Sequence, residues 1–264
     1  MSSLLSVQSL GISFGAVKAV NDVSFSAKPG EVLSIIGPNG AGKTTLFNMI
    51  SGVYRPGCGQ VTFDGADVTE LLPHQLAERG LSRTFQNLQI FHQMTALENV
   101  MAGRHLMERR GIFSDLFGLS TTRRHNRETK QAAEALLERV GLADIAGQEA
   151  GSLSYGMLKR LEIARALACH PQLLLLDEPA AGCNPVETEE VEGLIDQIAH
   201  EGVGILLVEH DMKMVMRISS HIVVLDHGEK LAEGRPEEVR EDPRVVAAYL
   251  GTTDGTGEAA HALH

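Results

Sequence analysis

Val32-Leu33-Ser34-Ile35-Ile36-Gly37-Pro38-Asn39-Gly40-Ala41-Gly42-Lys43-Thr44-Thr45 is the stretch on which the reading of the whole chain turns. Its first five residues form a short apolar, β-branched run of the kind that makes a buried strand. From Thr44 to Ser51 no helix breaker intervenes, and Gly52 supplies a stop. Between strand and helix, Gly37 to Thr44 fits G-x-x-x-x-G-K-[ST]. Glycines there let backbone N–H groups turn inward around phosphate oxygens, and the helix N-terminus adds its partial positive charge. Lys43 then reaches the β and γ phosphates, and Thr44 puts its hydroxyl on Mg²⁺. A Gly-rich strand-to-helix turn can be purely structural, but the full motif with both flanks argues for a ligand. Gly37, Pro38, Asn39, Gly40, Ala41, Gly42, Lys43, Thr44 and Thr45 are therefore expected to contact a nucleoside triphosphate.

The rest of the composition fits an ordinary globular chain. A length of 264 residues suits one sizeable domain, or one with a large insertion, and 43% hydrophobic residues can fill its core. Lys and Arg number 23 against 34 Asp and Glu, a net charge of −11, which argues against nucleic acid as the main ligand. Cys58, Cys169 and Cys183 form no C-x-x-C pair and are odd in number, so neither a zinc site nor a disulfide framework is indicated. That fits a reducing cytoplasm. The start, Met1-Ser2-Ser3-Leu4-Leu5-Ser6, lacks a basic segment followed by a long apolar one, and no run approaches ~18 apolar residues. The chain is expected to be neither exported nor membrane-spanning by itself.

Residues 4–30 alternate apolar and polar side chains, notably Val23, Phe25 and Ala27, up to the turn Pro29-Gly30, and read as antiparallel strands. Gln60-Val61-Thr62-Phe63-Asp64 reads as another. From about Asn87 to Arg160 the pattern becomes helical, with Ala133, Leu137 and Val140 spaced along one face before Gly141. Three apolar strand candidates follow, at 173–176, 205–208 and 222–225, separated by helices such as the one carrying Val191, Leu194, Ile195 and Ile198. Strand–helix alternation implies a parallel sheet. Residues 251–264 hold too little apolar content to pack and are expected to be a disordered tail after a single domain spanning 1–250.

Leu173-Leu174-Leu175-Leu176-Asp177-Glu178-Pro179 delivers adjacent acids at the carboxyl end of a buried strand, where ligands sit in parallel sheets. Asp177 can hold Mg²⁺, usually through water, while Glu178 can take a proton from the water that attacks the γ phosphate. An acidic turn at a strand end is the plainer alternative. Strand 205–208 ends in Glu209-His210-Asp211, where His210 can donate a hydrogen bond to the same phosphate or serve merely as a polar turn residue. In Asn184-Pro185-Val186-Glu187, Asn184 reads as an N-cap, Pro185 as the first helical residue and Glu187 as its capping-box partner. Capping alone explains all of these.

One further segment, Leu153-Ser154-Tyr155-Gly156-Met157-Leu158-Lys159-Arg160, resembles the signature motif of ATP-binding cassette (ABC) ATPases. The order of phosphate loop, Thr84-Phe85-Gln86, signature, Asp177-Glu178 and His210 is similar to that family over roughly residues 4–250. Physically, Ser154 caps a helix whose N-terminus can face an anion, while Met157, Leu161, Ala164 and Ala168 form a packing face that needs no function.

The resemblance implies an α/β P-loop NTPase with a RecA-like parallel core, an antiparallel β subdomain and an inserted helical subdomain at about 87–160. It implies that Ser154 and Gly156 contact ATP held by a second cassette, either a copy of this chain or a paralogue. Phe14 then stacks on adenine, with plain core packing as its competing reading. Gln86 is a Mg²⁺ and water ligand that senses a permease, and Asn184 lies in the loop that crosses the dimer.

Three positions depart from the general pattern: Tyr155 for glycine, Met157 for glutamine and Asn184 for aspartate. Tyr155, the run Ala180-Ala181-Gly182-Cys183-Asn184-Pro185, the insertion around Gly111-Ile112-Phe113 and Val208-Glu209-His210-Asp211-Met212-Lys213 resemble the ATP-binding subunit of branched-chain amino acid importers. Met157 is unusual even there. That resemblance implies ATP and Mg²⁺ as cofactors and integral-membrane permease subunits as partners. An extracytoplasmic solute-binding protein acts indirectly, and the chain sits peripherally on the cytoplasmic face of the inner membrane. A cassette serving urea, amides or lipid export is a rival within the family, and a non-transport regulatory ATPase or a small-molecule kinase a rival outside it. The chain's one cassette, its acidic charge and its signature helix weigh against the last two.

Overall fold

The structure is a computed structural model and describes residues 3–84, 88–104 and 120–250. Strands β1 (Leu5–Phe14) and β2 (Val17–Ala27) pair antiparallel from Leu5 opposite Ala27 to Phe14 opposite Val17. β4 (Cys58–Phe63) adds along the other edge of β1, and β5 (Ala66–Asp67) completes a four-stranded sheet in the order β2-β1-β4-β5. The alternation expected of a half-buried strand is explicit in β2, where Val23, Phe25 and Ala27 are buried.

The second sheet has six strands in the order β10-β9-β3-β8-β7-β6. These are β3 (Val32–Ile36), β6 (Leu81–Arg83), β7 (Leu173–Asp177), β8 (Gly204–Val208), β9 (His221–Asp226) and β10 (Glu229–Gly234). All neighbours run parallel except β10, which turns back on β9. Every residue of β3, β7 and β8 is buried, as expected where both faces of a parallel sheet are covered. The period of two then divides the core. Leu33, Ile35, Leu173, Leu175, Leu206 and Val208 face the antiparallel sheet and helix α1 (Lys43–Ile50), meeting Val7, Phe25, Phe47 and Phe63. Val32, Leu174, Leu176, Ile205 and Leu207 face a cluster shared with the helices.

α2 (Pro73–Glu78) adds Leu76 to the first of these faces, and the helices on the second include α3 (Ala96–Gly103), α4 (Ser120–Arg139), α5 (Tyr155–Leu167), α6 (Pro185–His200) and α7 (Met212–Ile218). Ala133, Leu137 and Val140 are buried in this cluster together with Leu161 and Ala164 of α5, its C-cap Ala168, and Val191, Leu194, Ile195 and Ile198 of α6. The chain is completed by α8 (Pro236–Glu241) and α9 (Pro243–Leu250). The strand order fixes where a site can form. β3, β8 and β7 are neighbours, with Ile35 and Asp177 both in register with Val208, so the turns leaving all three open side by side on one edge.

Candidate functional site

The turn after β3 curls over the N-terminus of α1. Gly42 is the N-cap, at φ 99°, and no side chain caps the helix, so its first N–H groups stay available to an anion. A Cβ on Gly42 would stand 2.5 Å from the Ala19 carbonyl oxygen of β2, so both the backbone and the space demand glycine. Lys43 Nζ donates to the carbonyl oxygens of Gly37 (2.6 Å) and Pro38 (3.0 Å). Burial lowers its pKa, and the Glu178 carboxylate pulls it back up, which places the two groups within one electrostatic neighbourhood. Asn39, Gly40 and Thr44 are exposed, while Ala41 is buried beneath the loop.

Asp177 closes β7 at 2% exposure and pairs with Arg83 of β6, Nη2 to Oδ2 at 3.0 Å. Its pKa is raised because burial outweighs the guanidinium beside it. Thr44 and Asp177 offer one hydroxyl and one carboxylate. That donor set is too small for a cation cage but suits magnesium carried in on phosphate oxygens. Glu178 follows at φ 50°, a left-handed conformation that ordinary residues adopt rarely and that recurs at functional sites. Its Oε1 lies 3.8 Å from Nδ1 of His210, whose ring is largely exposed. The structure thus brings together the phosphate loop, Asp177, Glu178 and His210.

Sequence reasoning missed three residues that hold this group in place. Arg83 also donates to Asn48 Oδ1 (2.6 Å) and Ser51 Oγ (2.7 Å) of and beside α1, so it ties the phosphate-loop helix to Asp177. Glu209 is 2% exposed, and its two oxygens accept from Ala180 N and His210 N, each at 3.1 Å. One carboxylate thereby joins the loop after Glu178 to the histidine. Lys159, also 2% exposed, donates to the Glu178 carbonyl oxygen at 3.1 Å and lies 5.7 Å from the centre of the Tyr155 ring. A strand-end acid next to a histidine was visible as a pattern; its burial was not.

The signature stretch forms the start of α5. Ser154 is the N-cap, accepting from Met157 N at 3.3 Å, and Gly156 is buried. Asn184 caps α6 by accepting from Val186 N and Glu187 N, and Glu187 completes the capping box as expected. Within this chain the hydrogen-bond partner that Ser154 Oγ and Gly156 N share is Glu187. Phe14 is 50% exposed and packs edge-on against Tyr54 with ring centres 5.6 Å apart, so it is not core. Gln86, the residue expected on magnesium, lies outside the described residues, as do the insertion around Gly111-Ile112-Phe113 and the tail from 251. Among the described residues no helix is long and apolar enough to cross a membrane.

A phosphate loop, a strand-end acid pair, a histidine on the next strand and a Ser-capped signature helix now stand in one fold, and the profile of the family described as ABC transporter matches residues 20–181. The chain belongs to the ABC transporter family. It is an ATP-binding cassette, an ATPase, and a second profile, described as branched-chain amino acid ATP-binding cassette transporter, matches residues 229–255. The cassette is 45% identical over 249 residues to the high-affinity branched-chain amino acid transport ATP-binding protein BraF of Pseudomonas aeruginosa, covering 94% of this chain and 98% of that protein. The ADP conformation of MJ1267, an ATP-binding cassette of an ABC transporter, superposes with a TM-score of 0.83 at 33% identity, over 95% of this chain and 100% of that one. A dimeric post-hydrolysis state of the cassette MJ0796 bound to ADP and Pi is similar at a TM-score of 0.73 and 26% identity, over 88% of this chain and 98% of that one.

Proposed function

We propose that this cassette is the ATP-hydrolysing subunit of an importer for branched-chain or related hydrophobic amino acids. The observation that carries the importer class is the match over 229–255, the β10, α8 and α9 region, which lies outside the residues 20–181 that the general ABC transporter profile matches. A substrate-binding protein outside the membrane selects the cargo, a separate permease passes it, and the cassette works peripherally at the cytoplasmic face.

In this reading the phosphate loop binds ATP through its backbone N–H groups and Lys43, with Phe14 as the adenine platform and Thr45 beside Thr44 in the first turn of α1. Thr44, Asp177 and Gln86 hold Mg²⁺, which neutralises phosphate charge when bound. Glu178 accepts the proton of the attacking water, and His210, positioned by Glu209, donates to the γ phosphate. The left-handed backbone at Glu178 and the 3.8 Å between its Oε1 and His210 Nδ1 support the reading that both side chains serve one phosphate. Ser154 and Gly156 bind the γ phosphate of ATP on a second cassette, so two chains close around two nucleotides. The helical region near 87–160 couples that closure to the permease.

Purifying the complex from membranes and identifying its subunits tests the reading. Recovery with paired permease subunits and a second cassette supports it, and uptake of leucine, isoleucine or valine by the reconstituted complex fixes the cargo. Recovery as a soluble protein on a ribosome or a metabolic enzyme overturns it.

A further inference from the structure

The N-terminus of the signature helix α5 already holds a carboxylate from its own chain. Glu187 Oε1 accepts from Ser154 Oγ at 3.0 Å and from Gly156 N at 3.2 Å. Its other oxygen accepts from Asn184 N at 3.1 Å. The capping box of α6 accounts for the second contact only. The first belongs to a different helix, thirteen residues long, whose N-terminal donors would otherwise face solvent or a ligand.

The fit is close. A Cβ on Gly156 would lie 2.5 Å from Glu187 Cδ, so the carboxylate reaches α5 only because residue 156 is glycine. The Tyr155 ring packs on Gly182, where a Cβ would stand 2.9 Å from Cε1, so the crossing loop 180–184 and the signature meet on both sides of this contact. The Asn184 N–H, ahead of Ser154 and Gly156, holds the Glu187 pKa below the usual carboxylate range, and the group is an anion at neutral pH.

We propose that Glu187 is an internal stand-in for phosphate: it orders Ser154 and Gly156 in the open cassette and must leave when the γ phosphate of the partner's ATP takes the same donors. The inference rests on the two-cassette reading above. Two anions cannot share one helix N-terminus, since each repels the other and both need Ser154 Oγ and Gly156 N. Glu187 therefore raises the ATP level at which two cassettes close. A mere structural clamp between α5 and α6 predicts the reverse, because loosening the signature weakens the use of ATP.

Glu187→Gln keeps the shape and an acceptor for Asn184 N but removes the charge. Glu187→Asp keeps the charge on a shorter arm that cannot cap α6 and reach Gly156 together. In the complete transporter complex both variants should lower the ATP concentration for half-maximal hydrolysis by about two- to fivefold, the scale of a charge at a helix end. Nucleotide affinity of the isolated chain should stay unchanged. Amide exchange over 154–158 in the isolated chain, without nucleotide, should quicken in both. An unchanged or raised half-saturation point, or unchanged exchange, overturns the inference. Wild-type turnover in a Glu178→Gln complex overturns the reading of the site instead, whatever Glu187 does.

Discussion

Arg83 Nη2 stands 3.0 Å from Asp177 Oδ2, with the arginine side chain 10% and the aspartate side chain 2% exposed. Neither charge is hydrated in the ordinary way, and the guanidinium also lies 5.0 Å from the centre of the Phe47 ring, so β6, β7 and α1 are joined through one side chain. Arg83→Met leaves the carboxylate buried without its cation. Breaking a buried pair from one side costs about 3–5 kcal/mol. Urea unfolding should show that loss as a lower midpoint at unchanged slope, and a midpoint equal to wild type would mean the pair is not a support of the site.

Glu178→Gln should bind ATP normally yet lose ~10²–10⁴ in turnover, because the amide cannot accept the proton while Lys43, Thr44 and Asp177 are untouched. Closed dimers should accumulate on ATP and be seen by light scattering. Turnover within about threefold of wild type would remove Glu178 from the role of base. Lys43→Ala should act differently and weaken binding itself, since the ammonium is the loop's only side-chain cation.

Phe14→Ala tests the adenine platform. The ring is half exposed at the end of β1 and braced by Tyr54. Losing one stacking surface should weaken ATP by about 1–3 kcal/mol, by analogy with base–aromatic stacking elsewhere. Thermal stability should hardly change. Equal affinity together with a lower melting temperature would mean the ring packs rather than binds.

Much of this was legible in the chain because local chemistry and fold agreed. The phosphate loop, the Asn184-Pro185-Glu187 helix start and the apolar strands β7, β8 and β9 each carry their own signal, through glycine, capping residues or unbroken apolar runs. β6 and β10 carried none. Leu81–Arg83 is only three residues long, and Glu229–Gly234 is a mostly polar edge strand, so neither shows a period that outweighs noise. The supports of the site were hidden for a related reason. Arg83, Lys159 and Glu209 are charged residues whose sequence neighbours do not show that tertiary packing buries them, and burial gives each its partner.

The coupling surface makes the last prediction. Phe91 and Met94 are 51% and 40% exposed, and with Glu98, Val53 and His74 they line a cleft of about 1070 Å³ among the described residues. Exposed apolar side chains around a concave site mark a place where another protein docks. The wall is tied to the fold: buried Asn99 accepts from Phe91 N at 2.9 Å and donates to Phe91 O at 3.0 Å, and Arg165 lies 5.6 Å from the centre of the Phe91 ring. Arg165 also donates to the Gln89 carbonyl oxygen from α5, the helix that begins at the signature. If ATP-driven closure moves α5, these contacts would carry that motion to the loop 89–94. Cysteines placed along 87–98, at Phe91, Gln93 and Met94 first because Glu98 serves the α3 cap, should crosslink to the permease with an efficiency that changes on adding ATP. No crosslink at any of these positions in a transport-competent complex would exclude this surface as the route by which hydrolysis reaches the membrane.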